Sequence, residues 1–174
     1  MRLFVAVFPT DEVRADLRRR LAPAQARLTA ADKWHITLAF LGDVPEDRQA
    51  DVERALSDVP TAGPITLRLV SGGRFGRGRS TAVWAGVDGD LDALSRLHSD
   101  IRAALDAAGQ SSDDRPLTPH LTLAYSREPA VLHALEGYRG PQWTVDDFVL
   151  VQSHHRDGGG YQTLRSWPLG RRRS

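Results

Sequence analysis

The strongest constraint in this sequence is a six-residue segment that occurs twice. HITLAF begins at residue 35 and HLTLAY begins at residue 120, so the two copies lie 85 residues apart in a chain of 174. Both read histidine, branched apolar residue, threonine, leucine, alanine, aromatic residue. A repeat at about half the chain length predicts two related lobes that carry the same side chains.

Each copy has the composition of a β-strand with one unusual face. The histidine and the threonine are two residues apart, so in a strand they project from the same side of the sheet. Apolar residues alternate with them and would fill the other side. A pseudo-two-fold axis between the lobes would bring the two polar faces together across one cleft, so that His35 and Thr37 meet His120 and Thr122.

The rest of the sequence predicts strands and helices in mixed order, without a regular βαβ rhythm. Apolar, alternating runs predict strands at 2–8, 35–41, 64–70, 81–87, 120–126, 143–155 and 161–169, and helical spacing predicts helices at 10–26, from 45, at 89–109 and at 130–138. The Gly/Arg-rich segment 71–80 and the RDGGG segment 156–160 predict loops. This order favours one α+β domain spanning 1–174, with mainly antiparallel sheets.

Composition excludes several classes of function. The net charge is +1, so any nucleic acid would have to be held by a local site rather than by the overall field. The absence of cysteine rules out disulfides, thiolate nucleophiles and cysteine-bound zinc, and it fits a cytoplasmic protein. No apolar stretch approaches the roughly 18 residues of a membrane span. We expect a monomer with no membrane association and no obligate protein partner.

Two histidines and two hydroxyls that converge on one cleft suit the cleavage of a phosphodiester. One imidazole can take a proton from the attacking water while the other gives a proton to the leaving oxygen. Histidine serves both purposes because its pKa lies near neutral pH. The threonine hydroxyls can donate hydrogen bonds to the phosphate oxygens, where negative charge builds up. Such a site needs no metal and no other cofactor.

The paired segments, HITLAFLG and PHLTLAY, resemble the HxTx motifs of the two-histidine (2H) phosphoesterase superfamily. Within it the chain is most similar to the RNA 2′,3′-cyclic phosphodiesterases, first described as 2′-5′ RNA ligases. The segments RLFVAVFP, TAVWAGV, RPLTPHLTLA and GGGYQTLRSWPL also resemble that family, so the likeness covers nearly the whole chain.

This resemblance implies a fold and a reaction. The fold would be bilobal, with two antiparallel sheets facing a central groove and helices outside. The reaction would be metal-independent hydrolysis of RNA 2′,3′-cyclic phosphate ends to 2′-phosphates. His35 would be the general acid on the departing 3′ oxygen and His120 the general base on water. Thr37 and Thr122 would bind the phosphate.

Further substrate contacts are expected from the same comparison. Many relatives have an arginine directly after the second HxTLA, where this chain has Tyr125; Arg127, two residues on, would keep the strand face and could replace it. Phe40 stands where an aromatic residue approaches the base, although a regular strand would turn it to the face opposite His35 and into the core. Apart from the resemblance, the Gly/Arg-rich segment 71–80 could follow a phosphate backbone while Phe75 stacks on a base, or it could equally be a mobile, solvated loop. Tyr161 would flank the groove.

Three other readings stay open. The chain could be a non-catalytic module that binds RNA ends or nucleotides, or a phosphodiesterase acting on small cyclic nucleotides. It could also be a metallohydrolase that combines His35 and His120 with a carboxylate such as Asp157. His154 and His155 do not favour the metal reading, because neighbouring residues on a strand point to opposite faces.

Overall fold

A computed structural model describes residues 1–77, 81–154 and 159–170. These residues form eight strands and four α-helices, with three-residue 3₁₀ turns at 22–24, 31–33 and 46–48. The strands are β1 (Arg2–Val7), β2 (Ile36–Asp43), β3 (Ile65–Phe75), β4 (Ala82–Gly89), β5 (His120–Ala124), β6 (Arg139–Val145), β7 (Asp147–Ser153) and β8 (Tyr161–Pro168). The helices are α1 (Asp11–Leu21), α2 (Gln49–Ser57), α3 (Leu91–Ala107) and α4 (Pro129–Ala134).

The strands form one sheet in the order β6-β3-β4-β5-β2-β1-β7-β8, and the neighbouring strands pair antiparallel. Counted outward from the centre, β2-β1-β7-β8 on one side mirrors β5-β4-β3-β6 on the other. The unit β1–α1–β2 corresponds to β4–α3–β5, and each unit ends in one copy of the repeated segment. The sheet therefore has the pseudo-two-fold arrangement that the repeat predicts.

The α+β class and the antiparallel pairing are confirmed, but the two expected sheets are the halves of one continuous sheet. Within the described residues, β2 and β5 are joined at one pair, Ile36 with Leu121. By contrast, β1 and β2 pair at six positions. The junction between the halves is thus a narrow seam in the middle of the sheet.

The strand predicted at 143–155 is two strands that belong to opposite halves of the sheet. β6 pairs with β3, whereas β7 pairs with β1, so the chain crosses between the halves at Asp146. The backbone N–H of Leu169 donates to the Asp146 carbonyl at 2.8 Å and holds this crossing against the end of β8. The prediction was wrong because the apolar alternation continues through the crossing without a glycine or proline to mark it.

The loop expected at 71–80 is strand over residues 71–75. β3 continues to Phe75 and pairs with β4 as far as Ala82, with a bulge between Val70 and Gly72. Ser71 takes a left-handed conformation at the bulge, with a φ of 51°. Gly73 has no side chain, so the strand continues beneath the ring of Trp84. Arg79, which the sequence places in this loop, lies outside the described residues.

One apolar core extends across both halves of the sheet. It contains residues from all four helices and from the inward faces of the strands, among them Val13, Leu56, Ile101, Val131 and Leu121. The helices cover this face, and a smaller apolar cluster of Phe4, Ala6, Val149 and Val151 lies on the other. His98 of α3, which looks like a surface residue in the sequence, is buried at 8% exposure. Among the described residues, no helix is both long and apolar enough to cross a membrane.

Candidate functional site

The seam between the two halves brings the repeated segments together. Ile36 and Leu121 pair there, and both are fully buried in the core. Because side chains alternate along a strand, the residues on either side of these two project from the opposite face of the sheet. That face therefore carries four half-buried polar side chains, each next in sequence to a residue of the seam pair: His35, Thr37, His120 and Thr122.

The antiparallel register makes this group diagonal. A register centred on the Ile36–Leu121 pair puts His35 opposite Thr122 and Thr37 opposite His120. Residues that face each other in an antiparallel pair have Cα atoms about 4.5–5.5 Å apart. Each imidazole thus has one threonine on its own strand and another across the seam. The positive charge of His120 also contributes to lowering the pKa of His35, which requires the two rings to lie within electrostatic reach.

Both imidazoles are held in the same way by a backbone carbonyl two residues earlier. Nδ1 of His35 donates to the carbonyl of Lys33 at 2.7 Å, and Nδ1 of His120 donates to the carbonyl of Thr118 at 2.6 Å. A carbonyl can only accept, so Nδ1 carries a proton in both rings and Nε2 is left for chemistry. Nε2 of His35 lies 2.9 Å from the hydroxyl oxygen of Thr37.

Aromatic rings enclose His35. Phe4 stacks on the imidazole with a centroid distance of 4.7 Å, and the rings of Phe8 and Tyr161 lie 5.6 Å away. This burial is the main cause that lowers the pKa of His35 below its ordinary value of 6.5. The hydrogen bond to the Lys33 carbonyl acts in the opposite direction, and the charge of His120 adds to the lowering.

His120 lies in a more open aromatic setting. The ring of Phe75 meets it edge-on at 4.9 Å, and Trp84 lies 5.8 Å away. Trp84 is a residue that the sequence reasoning missed as part of the site. Its signal is available in hindsight, because Trp84 occupies the outward position of the alternating strand TAVWAGV. It pairs with Thr122, so its ring lies on the face of the two histidines.

Gly73 makes room for that tryptophan. A Cβ atom placed on Gly73 would lie 2.4 Å from two ring atoms of Trp84. The indole therefore rests directly on the β3 backbone, and Phe75 packs beside it at 5.0 Å. Phe75 remains 40% exposed, so these two rings form an accessible apolar surface next to His120.

Phe40 lies on the histidine face, contrary to the face and the core packing expected for it. The register of β1 with β2 shifts between Val5 and Ala6, which leaves Leu38 as an extra residue. After this bulge Phe40 pairs with Phe4, whose side chain belongs to the outward cluster around His35. Phe40 is 43% exposed, and the Arg2 guanidinium lies 5.5 Å from its ring centroid.

Tyr161 lies at the groove, as expected, and its neighbours include the single lysine of the chain. The Lys33 ammonium lies 5.3 Å from the centroid of the Tyr161 ring and also donates to the carbonyl of Gly159. This lysine thereby ties the start of β8 to the residues just before β2. Burial first, and the nearby Tyr125 phenol second, raise the pKa of Tyr161 above its ordinary value.

Arg127 is not on the strand that was expected to present it. β5 ends at Ala124, and the chain turns through residues 125–128 before α4 begins. The expectation that Arg127 keeps the strand face of Tyr125 was therefore wrong, because the alternation of a strand does not extend into a turn. Its side chain is exposed, and Tyr125, in the position of the family arginine, is 69% exposed.

The residues weighed for a metal site do not assemble within the described structure. In the part of the chain that it covers, no three histidine or carboxylate side chains cluster as a metal site requires. His154 is described, and its Nε2 bonds the amide oxygen of Gln162 at 3.0 Å. His155 and Asp157 lie outside the described residues.

Comparison with known proteins gives a consistent result along the chain. Residues 6–157 match the 2′-5′ RNA ligase superfamily. The RNA 2′,3′-cyclic phosphodiesterase of Escherichia coli (strain K12) is 30% identical over 173 residues, which cover 97% of this chain and 96% of that protein. A protein of the same name from Geobacillus stearothermophilus is 31% identical over 95% of this chain, but this chain spans only 56% of its length.

A solved structure agrees with the described fold. The crystal structure of E. coli LigT complexed with 3′-AMP superposes with a TM-score of 0.78 at 28% sequence identity. The match covers 96% of this chain and 97% of the other. A single superposition thus includes both halves of the sheet and the seam between them.

Proposed function

The chain belongs to the 2′-5′ RNA ligase superfamily, and on that premise we propose that it hydrolyses 2′,3′-cyclic phosphate ends of RNA to 2′-phosphates. The observation that carries the proposal is the seam at Ile36 and Leu121, which puts two imidazoles and two hydroxyls on one face. We expect the protein to act as a cytoplasmic monomer without an obligate partner.

The proposed reaction is an in-line displacement at phosphorus. Nε2 of His120 takes a proton from water, and the water oxygen forms a new bond to phosphorus. The bond from phosphorus to the 3′ oxygen breaks, and Nε2 of His35 gives that oxygen its proton. The product keeps its phosphate on the 2′ oxygen, and the proton is exchanged back through solvent. Water is the only other reactant, and no oxidant or reductant is consumed.

The hydrogen bonds of the imidazoles support these roles. Because both Nδ1 atoms donate to carbonyls, each ring can exchange a proton only through Nε2. In the free site the hydroxyl of Thr37 lies at Nε2 of His35, and a bound phosphate oxygen would compete for that hydroxyl. Thr37 and Thr122 would then donate to the non-bridging oxygens as charge develops.

The environment of His35 bears on its role as the acid. Burial lowers the pKa of His35, so its conjugate acid is a stronger proton donor than free imidazolium. A bound phosphate is an anion, and an anion close to the ring favours its protonated form. Substrate binding therefore acts against the lowering of the His35 pKa by burial.

The exposed aromatic residues give the nucleoside a place to bind. We propose that the terminal base stacks on the surface formed by Phe75 and Trp84, since base–aromatic stacking contributes about 1–3 kcal/mol per base. Phe40 and Tyr161 would contact the sugar or a second base from the other half of the site. Arg127 would act only by reaching in from its turn, and it remains the weakest of the expected contacts.

The test is a product assay in the presence of EDTA. The full chain is incubated with an oligoribonucleotide that ends in a 2′,3′-cyclic phosphate, and the products are identified by mass and by 2′ or 3′ position. We expect a gain of one water and a 2′-phosphate. Tight binding without turnover would instead support a binding module, and activity that returns only with added zinc or manganese would support a metallohydrolase.

A further inference from the structure

We propose that Arg68 binds the phosphate on the 5′ side of the terminal nucleoside and so makes an RNA chain a better substrate than a cyclic mononucleotide. This subsite rests on the proposed function, because it extends the same groove by one nucleotide. Its basis is an arginine that lies on the face of the two histidines and makes no ion pair with any residue that the structure describes.

Strand register places Arg68 on that face. His120 pairs with Gly86, and Gly86 pairs with Val70, so these three form a row across β5, β4 and β3. Arg68 is two residues further along β3, about 7 Å from the row, and projects to the same side as Val70. The alternate residues Leu67 and Leu69 are fully buried on the other side.

The middle position of the row between His120 and β3 is Gly86, which contributes no side chain of its own. The nearest side-chain atom to a Cβ built there is a ring carbon of Trp84, at 3.8 Å. The aromatic surface of Phe75 and Trp84 lies on the other side of this row, so base and backbone phosphate would occupy opposite sides of His120.

The Arg68 guanidinium pairs with no carboxylate in the part of the chain that the structure describes. Its Nε is buried and has no hydrogen-bond partner, and among the described residues it makes no ion pair. Asp88 is the residue directly opposite it on β4, and their side chains do not meet within the 4.0 Å of an ion pair. A guanidinium presents a planar fork that matches two phosphate oxygens.

A purely structural role would look different. Four arginines of this chain pair with a carboxylate three residues away, as Arg48 does with Asp51 at 3.0 Å. Arg68 lies opposite the carboxylate of Asp88 on β4 and forms no ion pair with it. The neighbouring charge of Asp88 would weaken phosphate binding, so removing that charge offers a second, opposite test.

The experiment compares two substrates that share their terminal nucleoside. One is adenosine 2′,3′-cyclic phosphate, and the other is a trinucleotide that ends in the same group. We expect Arg68→Gln to lower kcat/KM for the trinucleotide on the order of tenfold and to change the mononucleotide less than about twofold. Asp88→Asn should raise kcat/KM for the trinucleotide alone. Arg96→Gln, an equal loss of charge on the outer side of α3, is the matched control.

A chemical version identifies the phosphate. The trinucleotide is made with a neutral methylphosphonate in place of the phosphate before the terminal nucleoside. With this substrate, kcat/KM of the wild-type protein should fall about as far as it falls for Arg68→Gln on the unmodified trinucleotide. Arg68→Gln itself should lose little more on the methylphosphonate, because both changes remove the same interaction. For Arg68→Gln, the slope of the logarithm of the trinucleotide binding constant against the logarithm of salt concentration should also become shallower by about 0.7.

The outcomes separate the two proposals. If the wild-type protein opens neither substrate, the proposed function fails. If it opens both, and Arg68→Gln leaves both unchanged or slows both equally, the phosphate subsite is overturned while the proposed function stands. An equal loss from Arg68→Gln and Arg96→Gln would also overturn it, because net charge would then explain the effect.

Discussion

At the scale of single residues, the site is asymmetric although the repeat is symmetric. Three aromatic rings surround His35, whereas two lie near His120. Removing water disfavours the charged form of an imidazole. The strands packed against His35 thereby lower its pKa, although its segment of sequence is the counterpart of the one that carries His120.

Tyr161→Ala tests this effect on His35. Opening one wall admits water, so the pKa of His35 rises toward 6.5. If His35 is the acid, the limb of the kcat/KM profile that reports its pKa should move to higher pH, and a ring-nitrogen titration of His35 by NMR identifies which limb that is. Phe40→Ala is the control for the position of that limb only, because its ring lies against Arg2. A His35 limb that stays in place or moves to lower pH would contradict the assignment.

The sequence was sufficient to predict the four polar residues at the seam, because the two-residue spacing fixes which face they share. It was not sufficient to find the carbonyls that hold each Nδ1, since carbonyl direction depends on backbone torsion rather than residue type. Trp84 was missed for a related reason. Its place beside His120 depends on which strand pairs with β5, and a single sequence does not give strand order.

At the scale of elements, the close contact between β3 and Trp84 controls the shape of the site. Gly73→Ala would put a methyl group 2.4 Å from the indole, and the ring would have to move. We expect a loss of stability of about 1–3 kcal/mol from overpacking and a fall in kcat/KM approaching 100-fold. Gly160→Ala, which places its methyl in open space, should change neither. Unchanged activity in Gly73→Ala would show that Trp84 does not shape the site.

Helix α3 carries a second buried histidine. Burial first, and the charge of Arg102 second, lower the pKa of His98 from 6.5. The unfolded chain therefore binds more protons than the folded one just below pH 6.5, so stability falls as pH falls. His98→Gln should make this fall shallower between about pH 7 and pH 5, measured by urea unfolding. An unchanged pH dependence of stability in His98→Gln would contradict the burial of an uncharged imidazole at this position. The lowered pKa of His35 makes a separate contribution to the pH dependence with the same sign.

The elements that sequence predicted poorly are those where a strand changes direction or register. The bulge at Leu38 turns Phe40 to the outward face, and the crossing at Asp146 splits one apolar run into β6 and β7. Neither place has a turn signature in its residues. Both are set by which neighbouring strand supplies the hydrogen bonds, and this is a property of the assembled sheet.

At the scale of the whole molecule, the two halves share one core. Residues of the first lobe, such as Leu17 and Val52, belong to the same buried cluster as Leu94 and Val131 of the second. The chain also crosses back at Asp146, so β7 and β8 complete the first half only after the second is made. The second half comes from one continuous stretch, 65–145, whereas the first half needs the segments on both sides of it.

This connectivity predicts one cooperative unfolding transition for residues 1–174. The calorimetric and van't Hoff enthalpies should agree, and probes of helix and of tryptophan environment should give one midpoint. Two separate transitions would show that the lobes fold independently and would contradict the single-domain prediction. The repeat predicts two lobes correctly, but it contains no information about their shared core.

The central claim is that His35 and His120 act together across the seam, and it is tested most directly by kcat/KM on an RNA ending in 2′,3′-cyclic phosphate with EDTA present. His35→Asn and His120→Asn should each lower it by at least 10²–10⁴-fold, and the double variant should be little worse than either one. Circular dichroism would establish that the variants are folded. Turnover close to that of the wild-type protein in either single variant would contradict the account.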